Sequence, residues 1–566
     1  MPLAEPAAHA PRAEQLGPLE RGLFVLRAIA TAREPRLRPG DVVRATGLAR
    51  SPVDRITSTL IRLGYLRSEG RDLIPAPRLL ELGNAYLSGS GLPDLLQPYA
   101  NRLADELGES VSLIVPDGCD MRLIAQAVVR GRTLSLAFHI GDLLPTERCA
   151  AGAVLAADWD AAQYDTWRAR RTDDPTDEHF PVVPPRPSAP RAQEVEEQFA
   201  AWTEHARSTG WALDDQLVAP GLVALAAPVL GPDGRAVCAV SVLSHTHRHS
   251  AEELREFALP RLTAATTGMT EALRRGPLTP APVSGSGARP TAGFEDLDFD
   301  GAKDEMGPAF VQSLARGLTV MTALGTARGG MTLSAVAEAA ALPAASARRA
   351  LLTLVDQGYA SVDGRRFSLL PRVLELGYAQ LSGLSFTEIV QPHLVELVQQ
   401  VRESASISVL SDDDVLYVAR VATGRITSAT ISLGTRFPAY ATSMGRVLLA
   451  DQSGSERAAY LARVRLEPLT RHTLTSPAQI GAALDSAARD EHALVDQELE
   501  EGLRSIAVPI RGRDGHTVAA LNVALHAGHD TPQDTRRTML PPLRATAARI
   551  EADLAAISER TSPAIP

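Results

Sequence analysis

Lysine is almost missing: Lys303 is the only one in 566 residues, and arginine supplies the rest of the positive charge. Arginine forms bidentate contacts with phosphate and guanine, and a GC-rich genome would give the same bias. Cysteine is scarce too. Cys119, Cys149 and Cys238 are an odd number without C-x-x-C spacing, which excludes a disulfide framework and gives no zinc ligand set. No apolar run is long enough to span a bilayer, so no membrane partner is expected. Met1 to Gln15 is rich in Ala and Pro and lacks the apolar core of a signal peptide, which points to the cytoplasm. No phosphate-binding Walker loop, G-x-S-x-G elbow or H-E-x-x-H helix occurs. The expectation is therefore no catalytic residue, no metal, no cofactor and no enzymatic activity. His245, His247 and His249 alternate at a strand end, but without Cys or clustered carboxylates they do not form a metal site. Asp412, Asp413 and Asp414 read as a solvated turn.

What is present is one protein written twice. Pro77-Arg-Leu-Leu-Glu-Leu-Gly-Asn-Ala-Tyr-Leu-Ser-Gly89 returns 294 residues later as Pro371-Arg-Val-Leu-Glu-Leu-Gly-Tyr-Ala-Gln-Leu-Ser-Gly383. Arg21-Gly22-Leu23 recurs as Arg316-Gly317-Leu318, Gln97-Pro98 as Gln391-Pro392, and Asp233-Gly234 as Asp514-Gly515. The period is far too long for a solenoid and marks a whole-chain duplication. Each copy can therefore be read against the other.

Net charge is −10, which argues against non-specific polyanion binding, but the charge is uneven. Residues 1–80 hold thirteen arginines against eight carboxylates, and residues 305–372 hold seven against four. These basic segments share one pattern. Apolar spacing predicts a helix over Leu19–Ala30, a short second helix over Asp41–Thr46, and a third capped by Ser51 with Pro52 at its first position. A β-hairpin turning at Glu69-Gly70 follows. The second copy repeats this over Leu314–Leu324, Leu333–Ala340 and Ala344–Gln357, with a hairpin at Asp363-Gly364. Three helices and a hairpin make a winged helix-turn-helix whose third helix enters the DNA major groove.

The expected organisation is α+β and multidomain. Winged heads occupy 16–76 and 309–370, α/β bodies 77–274 and 371–556, and a flexible linker 275–308. Pro181 to Pro190 has no counterpart in the second copy and is expected to be a disordered surface loop.

The heads, from Arg316-Gly317-Leu318 through Gly358-Tyr359, followed by an α/β body, resemble the IclR family of bacterial transcriptional regulators over both copies. In the second copy, Gly434-Thr-Arg-Phe-Pro-Ala-Tyr-Ala-Thr-Ser-Met-Gly-Arg446 and Leu494 through Pro509 resemble the subgroup controlling protocatechuate, 4-hydroxybenzoate and β-ketoadipate catabolism. The resemblance implies GAF-like effector-binding domains, dimerisation through heads and bodies, a double-stranded DNA operator and a small carboxylate effector. It places that effector among Ser443, Met444, Gly445, Asp496, Leu503, Arg504, Ser505 and Asn522. Arg436, Arg446 and Arg504 are the candidate counter-ions. An intramolecular pseudo-dimer is expected, and pairing of two chains as a homodimer stays open. The linker's reach, on the order of 30 Å, permits the former.

The two copies differ where function is expected. Ala150, Ala224, Ser241 and Val223 stand in the first copy where Ser443, Ser505, Asn522 and Arg504 stand in the second. The first pocket is thus expected to be degenerate. Candidate DNA contacts in the second head are Ala345, Ser346, Arg348 and Arg349 on the third helix and Arg365 and Arg366 on the wing. In the first head they are Ser51, Arg55, Thr57 and Arg71. Asp54 replaces Arg348, so the heads should not read identical half-sites. Two alternatives remain: a structural DNA binder with empty pockets, and a metabolite-binding enzyme on a GAF-like body.

Overall fold

The computed structural model describes residues 16–32, 36–128, 138–275, 304–423, 432–528 and 531–558. Most of the expected linker and the N-terminal tail lie outside the described residues. The chain divides into two compact units at Gly383/Leu384. The first holds both heads and the first body; the second holds the second body.

The first head has helices Pro18–Ala30, Pro39–Thr46 and Arg50–Arg62. Its hairpin pairs Leu66–Glu69 with Asp72–Pro75. Leu23, Leu26, Ile29, Val53, Ile56 and Leu60 form its core, each at most 3% exposed. Burial of such side chains stabilises the head by about 1.5–3 kcal/mol apiece. Two helix starts are corrected. The third helix begins after Ala49, so Ser51 and Pro52 lie inside its first turn, where a proline's missing N–H costs no hydrogen bond. The second helix begins at Pro39, and the Asp41 carboxylate accepts the Arg38 N–H at 2.9 Å from within. The second head has helices Gln312–Leu324, Leu333–Ala339 and Ala344–Asp356, and its wing pairs Ala360–Asp363 with Arg366–Leu369.

The heads pack on each other through their first helices. Leu19 lies on Gly317, and Leu314 lies on Gly22; a methyl group at either glycine would collide with the facing leucine. These contacts exchange equivalent positions, as a twofold interface does.

Each body is a six-stranded antiparallel sheet with the same strand order. In the second, that order is Arg436–Pro438, Asp414–Val421, Ser404–Ser411, Thr517–His526, Leu503–Arg511 and Ala493–Asp496. Helices Phe386–Val401 and Pro532–Ser558 cover one face, and Ser443–Ala450 and Pro477–Asp490 the other. The first body follows suit, with Leu92–Leu107 and Ala251–Arg275 on one face and Ala150–Leu155 and Ala192–Thr209 on the other. The segments joining head to body differ. In the first copy a 3-10 turn, Pro77–Leu79, runs directly into helix Leu80–Ser90. In the second, Gly377 breaks the path at φ +115°, a conformation only glycine adopts cheaply, before the short helix Tyr378–Ser382.

The Pro-rich segment is not a disordered loop. Phe180 and Val183 are each 2% exposed and join the first body's core. Arg186 anchors the segment through its backbone N–H to Thr176 O at 2.8 Å and its side chain to Asp177 at 2.9 Å.

Candidate effector and DNA-binding sites

Helix Ser443–Ala450 lies across the middle of the second sheet. Thr442 caps it, its hydroxyl taking the Gly445 N–H at 3.0 Å. Gly445 is required for this seat, because a side chain there would strike the Ala439 carbonyl. The seat brings Ser443 Oγ to 2.9 Å from Ser505 Oγ and 3.3 Å from Asn522 Oδ1. Ser408 donates to Met444 Sδ at 3.0 Å. Strand pairing sets Ser406 directly opposite Asn522, on the same face. Tyr417, edge-on to Phe437 at 5.7 Å, supplies an aromatic wall, and burial pushes its hydroxyl up to about 12. The result is a buried patch of hydroxyls and one amide between apolar walls.

The structure brings Ser443, Met444, Ser505 and Asn522 together, with Gly445 seating the helix. Leu503 lies on the same strand two residues from Ser505, hence on the same face. Asp496 and Arg504 are a correction. They pair across strands with each other, at 2.8 and 3.2 Å, and the Arg504 guanidinium reaches Thr535 of helix Pro532–Ser558 at 3.4 Å. Side chains alternate faces along a strand, so Arg504 points away from the face that Ser505 occupies. Arg436 is a surface group bonded to Asp412, Asp414 and the Ser411 carbonyl. Arg446 is buried, but Glu498 holds it bidentately at 2.8 and 2.6 Å, and its Nε donates to Tyr440 O at 3.1 Å. Glu498 also takes the Leu474 N–H at 3.1 Å, while Thr473 donates to the Glu498 carbonyl at 2.6 Å. The ion pair thus fastens the segment over the helix.

Ser406, Ser408, Tyr417 and the Arg446–Glu498 pair are what sequence reasoning missed or misassigned. The alternation Ser404-x-Ser406-x-Ser408 was the available signal, since period two puts all three on one face.

At the matching places of the first body, the patch is reduced to two serines. Ile114, Ala150, Ala151 and Ala224 stand there, all within the apolar core. Ser241 remains, opposite Ser112, whose buried hydroxyl has no partner among the described residues. Arg446 and Glu498 correspond to Ala153 and Leu217, so both members of the ion pair are absent together. Arg148 takes over the fastening. It donates to the carbonyls of Leu217, Val218 and Pro184 at 2.8 to 3.0 Å and to Asp177 at 3.0 Å. Next to it, Glu147 accepts from Trp167 and Arg170. Burial works to raise the Glu147 carboxyl, but Arg170 and these hydrogen bonds outweigh it and hold it below its ordinary value. Asp120, 3.0 Å from the same arginine, is dominated by burial and pushed up to about 7.

On the recognition helices, Ala345, Arg348 and Arg349 are exposed and Ser346 is half-buried; Ser346 and Arg349 line a cleft between the heads with Glu20 and Arg316. Ser51 and Arg55 are exposed on the first head, and Asp54 is held by Arg50 at 3.4 Å. Thr57 is a correction: it is 4% exposed and its hydroxyl returns to Val53 O at 3.0 Å, so it faces the core. Arg71 and Arg365 are exposed at the wing tips; Arg366 donates to Gly330 O at 2.9 Å. Among the described residues, no group of His, Cys, Asp and Glu is placed to hold a metal ion, and no helix is long and apolar enough to cross a membrane.

Comparison with known proteins agrees with the duplication. A model of the IclR helix-turn-helix domain matches residues 18–70 and 313–364, and one of the bacterial transcriptional regulator IclR C-terminal domain matches 84–267 and 378–552. The Pca regulon regulatory protein of Pseudomonas putida is 43% identical over 239 residues, 42% of this chain and 82% of that protein. The p-hydroxybenzoate hydroxylase transcriptional activator of Acinetobacter baylyi is 33% identical over 42% of this chain and 90% of its own. A crystal structure of an IclR homolog complexed with 4-hydroxybenzoate from Microbacterium hydrocarbonoxydans is 28% identical over 43% of this chain and 98% of its own, with a TM-score of 0.28.

Proposed function

The chain belongs to the IclR family of bacterial transcriptional regulators, and from that premise we propose that only its second body receives an effector, a small aromatic or keto carboxylate. It is a DNA-binding regulator with two reading heads in one chain. The observation that carries the proposal is the contrast between the two bodies. Ser406, Ser408, Ser443, Ser505 and Asn522 line one, while in the other Ile114, Ala150 and Ala224 replace three of the five and only Ser112 and Ser241 remain polar. Hydroxyls and an amide between apolar walls suit a hydroxylated aromatic acid. The names of the relatives, which regulate the pca genes and p-hydroxybenzoate hydroxylase, support that class.

With Arg446 and Arg504 already paired, the ligand carboxylate finds its positive end at the first turn of helix Ser443–Ala450, through backbone amides and the serine hydroxyls. Binding would require Ser443 to exchange its contacts with Ser505 and Asn522 for contacts with the ligand. It regulates only insofar as the ligand prefers one arrangement of the heads over another. Among the DNA contacts, we assign the exposed Arg348, Arg349 and Arg365 to the second head and Arg55 and Arg71 to the first.

The test is calorimetry on the full chain with protocatechuate, 4-hydroxybenzoate and β-ketoadipate. One ligand per chain is expected, lost in Ser443→Leu while operator binding persists. Two ligands per chain, or undiminished binding by the variant, would place the pocket elsewhere. No binding of any of the three would favour a DNA-binding scaffold without an effector of this class.

A further inference from the structure

The contacts beyond the first helices break the twofold symmetry that Leu19 and Leu314 keep. Asn84 and Tyr378 are the same position in the two copies. They meet: the Tyr378 hydroxyl donates to Asn84 Oδ1 at 2.9 Å, with the tyrosine 2% and the asparagine 4% exposed. The tyrosine ring lies on Gly83, where any side chain would strike it. A second unequal position lies close by. Gly325, equivalent to Ala30 of the first copy, abuts the backbone of Ala85, and a methyl at Gly325 would collide with it. Ser382 adds a bond to Ile140 O at 3.3 Å.

We infer that Asn84 and Tyr378, with Gly325, make each head pair with the unlike head; because that unlike head is tethered in the same chain, at an effective concentration a second chain does not match, a chain closes on itself and one chain reads one operator. Pairing of two first copies would replace the ring with a second asparagine, leaving a void and two buried amides, and would bring Ala30 to the place where only Gly325 fits. Pairing of two second copies would put a second ring where Asn84 sits, overfilling a buried site. Only the unlike pair satisfies both positions, so the device combines an attraction with two exclusions. Because the heads carry different recognition helices, with Arg348 in one and Asp54 in the other, the pair always presents one of each. The operator is therefore two unlike half-sites rather than a palindrome.

The inference rests on the head pairing and uses DNA binding only as a readout, so it stands or falls separately from the effector pocket. The experiment uses full-length chains carrying two different tags, mixed and then bound to operator, with native mass spectrometry reading the composition. Wild type is expected to bind one chain per operator, without mixed-tag complexes. Asn84→Tyr and Tyr378→Asn should each weaken operator binding by roughly tenfold or more. The swap N84Y/Y378N, which rebuilds an unlike pair the other way round on a seat that does not copy the one at Gly83, should recover part of what each single variant loses. Mixed-tag complexes as the main wild-type species would overturn the inference without recourse to any variant. So would single variants that bind as wild type, or a swap no better than the single variants while the melting temperature of each protein shows it folded.

Discussion

Removing one member of the Arg446–Glu498 pair should unfold far more than a hydrogen bond's worth of structure. Both side chains are nearly buried, and each is the other's main partner. Truncating Glu498 to Ala leaves a guanidinium in the interior, and truncating Arg446 to Ala leaves a carboxylate. Broken buried pairs of this kind cost about 3–5 kcal/mol. For a domain of this size that is a fall of roughly 6–20 °C in Tm. Glu498→Ala also releases the Leu474 amide, so it should be the costlier of the two. The first body shows how the site is built without the pair, carrying Ala153 and Leu217 at the same two positions. The double variant R446A/E498L copies those two side chains but not Arg148, which fastens the first body and stands where the second has Ala441. Its cost should be smaller than the sum of the single changes by about 2 kcal/mol or more, since no charge is stranded. Urea denaturation of the four proteins closes the cycle. Strictly additive costs would refute the reasoning, because they would mean the two side chains do not stabilise each other.

Arg349→Ala is expected to weaken operator binding more than Arg55→Ala, since Arg349 has Arg348 beside it while Arg55 has Asp54; equal losses in gel shifts would contradict unequal heads. A pH dependence should come from Asp214, which burial pushes up to about 7 from an ordinary 3.8. Between these values the native state holds the proton that the unfolded chain has lost. Stability therefore falls as pH rises from about 4 to about 7, by on the order of 4 kcal/mol. Asp214→Asn should make that part of the first body's stability profile shallower, leaving the share of Asp120, which burial also pushes up to about 7, and an unchanged slope would show that Asp214 is not a source of it.

Much of the fold was legible because helix caps, breakers and hairpin turns are local. Gly47, Gly64 and Gly358 sit at positive φ just past the ends of the head helices, where a glycine stops a helix. Thr57 was misread although periodicity held the answer: Val53, Ile56, Thr57 and Leu60 form one i, i+3, i+4, i+7 stripe. Arg504 was misplaced for a similar reason, since assigning Ser505 to the pocket sends its neighbour to the other face. The Arg446–Glu498 pair was not legible, because its members are far apart in sequence and meet only when the sheet is assembled. The Pro-rich segment misled because its composition suits disorder, while the two side chains that anchor it, Phe180 and Val183, are outvoted by the prolines around them.

The filled first body also bears on the shape of the response. A symmetric pair of sensing domains can respond cooperatively, with a Hill coefficient up to the number of sites. On the reading proposed above, a chain whose first body is packed with Ile114, Ala150 and Ala224 offers one receptive site to two heads. Its dose-response curve, chain by chain, is then hyperbolic: transcription would follow effector concentration gradually over nearly two decades instead of switching at a threshold.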